Sequence, residues 1–259
     1  MPSYLDTLFN LEGKVAVITG GGGHLCGEMA RALGSCGVKV AVLDLRLEKA
    51  AKISDEIRGQ GGQASSFALD VTKKDQWKSV FEEILQTYGK IDILINGAGI
   101  NAPTPFFDIT PEEWREVLDS HLVGTLLGCQ TVGAHMTAHK QGSIINISSA
   151  SAGPPLSKAF AYSVAKAGIK NLTQNLGREW GPYHVRVNAL RPGFFPTEWN
   201  KKNFITPERE KAILGHTPMG RYGDVSELVG AVLWLASDAS LFVTGAEIAV
   251  DGGFSCMTI

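Results

Sequence analysis

The sequence predicts an α/β fold, a doubly wound and mainly parallel seven-stranded sheet with helices on both faces. Three observations carry that expectation. Seven short β-rich runs stand at 15–19, 38–45, 64–70, 91–97, 143–149, 185–192 and 246–253. Longer stretches of helical period separate them, which is βαβ alternation throughout. Several runs, VAVIT and VKVAVLDL among them, are continuously apolar, as strands of a parallel sheet covered on both sides require.

The first run, 15–19, passes directly into Gly20-Gly-Gly-Gly23-His24-Leu25-Cys26-Gly27 and then into a helical stretch, EMARALGSCG. Glycines permit a tight turn there and bring bare N–H groups to the partly positive start of a helix, where a phosphate is stabilised. The second run closes on Asp44, 24 residues after Gly20. A carboxylate in that place accepts hydrogen bonds from adenosine ribose hydroxyls, which makes the pair a Rossmann-type dinucleotide signature. It also repels a 2′-phosphate, so NAD is favoured; Arg46, two residues on, keeps NADP open.

The third run leads to Asp70-Val71 and the fourth to Asn96-Gly-Ala98-Gly99. The fifth ends at Ser148-Ser149, and a helix, AFAYSVAKAGIKNLTQNLGREW, follows a short gap. Tyr162 and Lys166 are four apart in it, so both project from one face, about 5–6 Å apart at Cβ. A phenol beside a cation is easier to ionise. Its ordinary pKa is about 10, so service as a base near neutrality asks for about 4 kcal/mol of phenolate stabilisation, which Lys166 and a cationic cofactor could supply together. A Tyr-x3-Lys pair also arises on amphipathic helices with no chemistry attached, and Ser148, Ser149 and Ser151 also suit a strand-end turn. The sixth run closes on Pro192-Gly193, after which 194–223 breaks the rhythm. Its prolines, glycines and Trp199 predict a loop and a short helix inserted beyond a strand C-terminus, where such folds bind ligands.

A chain of 259 residues with 44% hydrophobic content can bury one large core, and a single domain over 1–259 is expected, with the insertion at about 194–223. The formal charge is −2 and the 24 basic residues are scattered. That leaves no electrostatic footprint for nucleic acid or anionic lipid, so the expected partner is a small molecule. No apolar run approaches the ~18–20 residues of a membrane span, and the first residues lack a secretory pattern, which predicts a cytoplasmic location. Cys26, Cys36, Cys129 and Cys256 show no CxxC spacing and read as reduced thiols; no metal is expected.

In this order the pieces resemble the short-chain dehydrogenase/reductase family over nearly the whole chain, from about Leu11 to Gly253. Thr19-Gly20 with its turn is similar to the family's TGxxxGxG, Asp70-Val71 to its adenine-contacting Asp-Val, and Asn96-Gly-Ala98-Gly99 to its NNAG. Ser149 lies thirteen residues before Tyr162, as in the family's active site. Pro192-Gly193-Phe-Phe195-Pro-Thr197 resembles the segment that closes over the nicotinamide. The resemblance implies a cofactor site drawn from Gly20, Gly23, His24, Leu25, Asp44, Asp70, Val71, Asn96, Ala98, Gly99, Pro192, Gly193, Phe195 and Thr197, together with Tyr162 and Lys166. It further implies that tyrosinate Tyr162 takes the proton of a substrate hydroxyl while hydride moves to nicotinamide. Ser149 would hold the substrate oxygen, and Lys166 would bind the nicotinamide ribose and lower the Tyr162 pKa. A homotetramer built from the long helices around 111–139 and 158–180 is implied as well.

Two departures stand out. The family's second and third loop glycines fall on His24 and Cys26. Cys26 is small enough to pack, whereas His24 must point outward or lie along the pyrophosphate. At Asp119-Ser120-His121-Leu122 the family's water-holding Asn is replaced by His121, which could bind that water, carry the proton itself, or simply pack within a helix. Within the family, GGGGxL near the start and PGFFPTEWN with TPERxxAILxHTPMGRYG later resemble the branch called D-mannonate oxidoreductase or fructuronate reductase. That resemblance suggests a sugar acid. Asn101, Ser149, Lys158 and Trp199 are the candidate substrate contacts, with Arg191, Asn200 and His216 also in reach. Trp199 or Phe195 could instead line a pocket for a bulkier ketone. An NADPH-dependent 3-oxoacyl or other ketone reductase, and a weakly active dinucleotide-binding sensor, are the other readings.

Overall fold

The seven β-rich runs become β1 (Val15–Thr19), β2 (Lys39–Asp44), β3 (Gln63–Ala68), β4 (Ile93–Asn96), β5 (Gly142–Ile147), β6 (Val185–Pro192) and β7 (Glu247–Val250). The computed structural model describes residues 3–153, 156–197, 201–202 and 205–257. In it the strands form one sheet of order β3-β2-β1-β4-β5-β6-β7, with every neighbouring pair parallel. The chain winds outward from β1 through β2 to β3 and then returns to β4 on the other side of β1. That reversal opens a crevice beyond the strand C-termini, the usual ligand position in such sheets.

The helices are α1 (Tyr4–Leu8), α2 (His24–Ser35), α3 (Leu47–Gly59), α4 (Lys74–Tyr88), α5 (Pro111–Leu118), α6 (Gly124–His139), α7 (Phe160–Trp180), α8 (Pro207–Gly215) and α9 (Val229–Ala236). Side chains alternate along each strand, so a strand buried on both faces must be apolar at every position. Ala16 and Ile18 of β1 pack with Met29 and Leu33 of α2 and with Val232 and Leu235 of α9. Val17, between them, packs on the other face with Trp77 and Ile84 of α4 and Met136 of α6.

Two local features bear on the crevice. A π-helical turn, Asp119–Val123, joins α5 to α6, so the long helix expected over 111–139 is continuous but bulged at His121. Between β6 and α9 lies the insertion, whose helix α8 starts at a Thr206 cap with Pro207 in the first turn.

Candidate active site

The ends of β1, β4, β5 and β6 bring the singled-out residues to one crevice. Lys166 on α7 is buried, 3% exposed, with Nζ 5.5 Å from the centre of the Tyr162 ring. Its ammonium donates to the Ile147 carbonyl at the end of β5, 2.6 Å away. Ser149 is the N-cap of the short 3₁₀ turn Ala150–Ala152 and accepts from the Ser151 N–H at 3.2 Å and the Ser151 hydroxyl at 3.1 Å. Its own hydroxyl stands toward the Tyr162 phenol and favours ionisation of that phenol. The three serines thereby separate: Ser148 donates to Glu247 at 2.7 Å, Ser151 supports Ser149, and Ser149 faces the cleft.

Burial pushes the Tyr162 phenol above its usual range, and the Ser149 hydroxyl opposes that rise. Burial also brings the Lys166 ammonium down to about 8, against the opposing influence of Cys26. Lys166 is expected to make the phenol more acidic. In the protein by itself desolvation dominates, the opposing influence is that of Ser149 and not of Lys166, and Tyr162 holds its proton at neutrality.

His121 lies in the π turn at 3% exposure, its ring edge-on to Tyr162 with centroids 5.2 Å apart. Nε2 is 2.8 Å from the Ile100 carbonyl, so Nε2 carries the hydrogen and Nδ1 keeps a lone pair. That Nδ1 is buried and has no hydrogen-bond partner. Burial first, and the charge of Lys166 second, push the imidazole down to about 3. Gly99 makes room for the ring: a Cβ there would stand 1.9 Å from His121 Cε1.

On the nucleotide side, Gly20 has φ +65° and packs on the β4 loop, where a Cβ would come within 2.9 Å of Ala98 Cα. Thr19 stitches the two turns together, its Oγ1 accepting from the Gly97 and Ala98 N–H groups at 3.0 and 3.3 Å. Gly23 is the N-cap of α2 and supplies no side-chain cap, which leaves the helix start open to an anion. His24 is exposed at that start and Leu25 lines the cleft. Cys26 is buried against Gly97, and its thiol is raised to about 12 by burial, so it packs as a small neutral side chain. Asp44 is held at the edge of the turn, accepting from the Gly22 N–H at 3.2 Å and the Arg46 N–H at 3.0 Å. Asp70 accepts from the Thr72 N–H and hydroxyl, and the Val71 carbonyl accepts from Trp77.

Other expected contacts fall elsewhere. The Asn96 side chain points into the core, donating to Asn146 at 2.9 Å and to Cys129 at 3.4 Å, so its part is to brace β4 against β5. Arg191 pairs with Glu247 at 3.2 Å, and His216 stacks edge-on against Phe254. Lys158 is exposed with φ +56° and is not on the cleft wall. Trp199 and Asn200 lie outside the described residues. Pro192 ends β6, the Gly193 N–H donates to the Val250 carbonyl at 3.0 Å, and the Thr197 carbonyl accepts from the Lys201 N–H at 2.9 Å.

Ser149, Tyr162 and Asn101 line a cleft of about 470 Å³ with Leu156, Phe194, Phe195 and, from the insertion, Ile205, Arg209 and Ile213. Arg209 was not among the expected contacts. Its four-residue spacing to Ile205 and Ile213, after a Thr-Pro helix start, was the available signal. Among the described residues no group of three His, Cys, Asp or Glu is placed to hold a metal ion, and no helix is long and apolar enough to cross a membrane.

A family model described as enoyl-(acyl carrier protein) reductase matches residues 25–255. The chain is 40% identical to the uncharacterized oxidoreductase UxuB of Bacillus subtilis, over 95% of this chain and 96% of that one. Among solved structures it is similar to a Haemophilus influenza protein assigned as a D-mannonate oxidoreductase, with bound NAD. That match has 38% identity and a TM-score of 0.91 over 96% of this chain and 97% of the other. It is also similar to a gluconate 5-dehydrogenase from Burkholderia cenocepacia in complex with NADP and tartrate. There the identity is 33% and the TM-score 0.93, over 98% of this chain and 100% of that one. Sheet order, crevice and alignments agree over nearly the full length, and the chain belongs to the short-chain dehydrogenase/reductase family of oxidoreductases.

Proposed function

We propose that this protein interconverts a secondary alcohol and a ketone on a sugar acid or polyol, using NAD, with Tyr162 as general base and acid. The observation that carries the reading is the cluster of Ser149, Tyr162 and Lys166 at a cleft beside an open glycine-lined helix start. The residues present fit a dinucleotide. A Cβ at Gly22 would meet Lys49 Cβ at 2.5 Å and Asp44 Oδ2 at 2.9 Å, so only glycine leaves the turn open there. The uncapped start of α2 with Gly20, Gly23, His24 and Leu25 would hold the pyrophosphate, Asp44 the adenosine ribose, and Asp70-Val71 the adenine. Asn96 supports this site from the core, while Ala98, Gly99 and the 192–197 segment would flank the nicotinamide half. A carboxylate at Asp44 disfavours a 2′-phosphate, which supports NAD over NADP.

A dinucleotide held there would supply the acceptor for the carbinol hydride, so that alcohol and oxidised dinucleotide would give ketone, reduced dinucleotide and one proton. Tyr162 takes that proton from the substrate oxygen, or returns it in the reductive direction. Ser149, already held by Ser151, orients the same oxygen. Lys166 sits beside the phenol and supports its anion. For His121, a neutral imidazole packed edge-on to Tyr162 with a buried Nδ1 acceptor, the reading that it carries the proton itself loses support, since its imidazole is driven down to about 3. The apolar stretch of the cleft, Leu156, Phe194 and Phe195, also supports a second reading, an NADPH-dependent reductase of bulkier ketones.

Fluorescence titration with NADH and NADPH, followed by absorbance screening of sugar acids, polyols and ketones, tests the proposal. NADH should bind more tightly, and Tyr162→Phe should lower kcat by about 10²–10⁴-fold while keeping the cofactor. Undiminished turnover in Tyr162→Phe would overturn the mechanism. Cofactor binding with no turnover on any substrate would favour a dinucleotide sensor.

A further inference from the structure

Among the described residues the insertion contributes one full charge, Arg209, to the cleft wall. Arg209 and Ile213 stand four residues apart on α8 and share a face, and Ile205 precedes them by the same interval; all three line the cleft that Ser149 and Tyr162 line. Ile213 is buried, 7% exposed, and fixes that face against the body of the protein. The Arg209 N–H donates to Thr206 Oγ1 at 3.2 Å, which pins the first turn. Glu208 and Glu210 are its sequence neighbours, and adjacent helical positions do not share a face. Among the described residues no carboxylate lines the cleft, and the Arg209 guanidinium takes part in no ion pair.

We propose that Arg209 receives the carboxylate of the substrate, so that the enzyme selects hydroxy or keto acids over polyols of the same chain length. This deepens the reading above and rests on it. A guanidinium presents a planar fork that matches a carboxylate through two parallel hydrogen bonds, which a polyol terminus cannot return. Arg209 is an exposed residue at the cleft wall, so water reaches the pair and the two-bond geometry, more than a dry setting, would carry the selectivity. Asn101, the uncharged polar side chain that lines the same cleft among the described residues apart from Ser149 and Tyr162, is left for the hydroxyls.

The test uses the NAD-loaded protein. Tartrate, a hydroxy diacid, is titrated calorimetrically into wild type, Arg209→Gln and Arg209→Lys. Steady-state rates are then compared for D-gluconate against D-glucitol and for 5-keto-D-gluconate against D-fructose. Arg209→Gln should weaken tartrate about ten-fold or more, and lower the acid-to-neutral ratio of kcat/KM by a similar factor, mainly through KM. Arg209→Lys should recover part of both, and NADH affinity should report an intact fold. Tartrate affinity and the acid-to-neutral ratio within about two-fold of wild type in Arg209→Gln would overturn the proposal, as would a wild type that ignores tartrate. Arg209-dependent tartrate binding without turnover of any substrate would keep the anion site and sink the oxidoreductase reading. Turnover of polyols with no response to Arg209→Gln would do the reverse.

Discussion

His121 is protonated in an unfolded chain below about pH 6.5, yet in the folded protein its imidazole stays neutral down to about 3 because burial expels the charged form. The unfolded state therefore binds the extra proton, and stability present at pH 7 is lost as the pH falls from about 6.5 toward 3. At pH 5 this one group costs about 2 kcal/mol. His121→Asn should accordingly lose less stability than wild type between pH 7 and pH 5 in urea unfolding. Equal losses in the two proteins would show that the imidazole is not buried neutral. Tyr162 gives a second pH effect. Its phenol is raised by burial, so the base form gathers on the alkaline side. Alcohol oxidation should rise with pH above neutrality and ketone reduction should fall; a flat profile for both would remove Tyr162 as the proton donor and acceptor. Tyr162 and Lys166 were legible in the sequence because a spacing of four is itself a helix face, and Ser149 because it lies thirteen residues before Tyr162, as in the family it resembles. The cleft position of Arg209 was not, because a charge in an inserted helix carries no sign of which wall it faces. Lys158 and Arg191 misled for the same reason: a cation in a loop or at a strand end carries no sign of whether it meets solvent, a partner such as Glu247, or the site.

At the level of elements, continuous apolarity located β1, β2 and β4, whose middles are buried on both faces, whereas β3 is half-exposed and β5 and β6 carry buried polar side chains such as Asn146 and Asn188, so those runs were legible mainly from their β-rich composition and the βαβ rhythm. Their ends were less legible. The last run, 246–253, shortens to Glu247–Val250 because Gly252 and Gly253 take φ of +63° and +88°, which turns the chain out of the sheet. The π turn at Asp119–Val123 left no mark in the periodicity, because one extra residue per turn hardly alters an apolar pattern. Packing decides a further case on α7. Gly177 is an interior helical glycine, where alanine would ordinarily gain about 1 kcal/mol. A Cβ there would meet the Gly245 backbone nitrogen at 2.6 Å and its Cα at 2.8 Å. Gly245 is anchored, its N–H donating to the Val187 carbonyl at 2.7 Å, and it cannot withdraw cheaply. Overpacking of about 1–3 kcal/mol exceeds the propensity gain, so Gly177→Ala should lower the urea midpoint. An unchanged or raised midpoint would mean that α7 can shift away from the Gly245 turn that leads into β7.

The molecule as a whole exposes more surface than a chain of its size requires. A monomer of 27.7 kDa is expected to present about 11,000 Å², whereas this chain presents 12,987 Å². Part of the excess is apolar and lies on two helices. On α6 the outward positions are Leu126, Gln130, Ala134 and Ala138, spaced by four; on α7 they include Phe160 and Val164. Leu126, Phe160 and Val164 are 41%, 40% and 49% exposed. A helix with apolar residues on its outer side asks for cover, and the homotetramer expected from these same segments would supply it through isologous faces. Light scattering coupled to size exclusion should then give about four times the 27.7 kDa chain mass. Val164→Glu, placing like charges against each other across a two-fold axis, should shift the population to smaller species while NADH still binds. A wild type that runs as a monomer at micromolar concentration would refute the assembly. A Val164→Glu protein that remains a full tetramer would move the interface off α7.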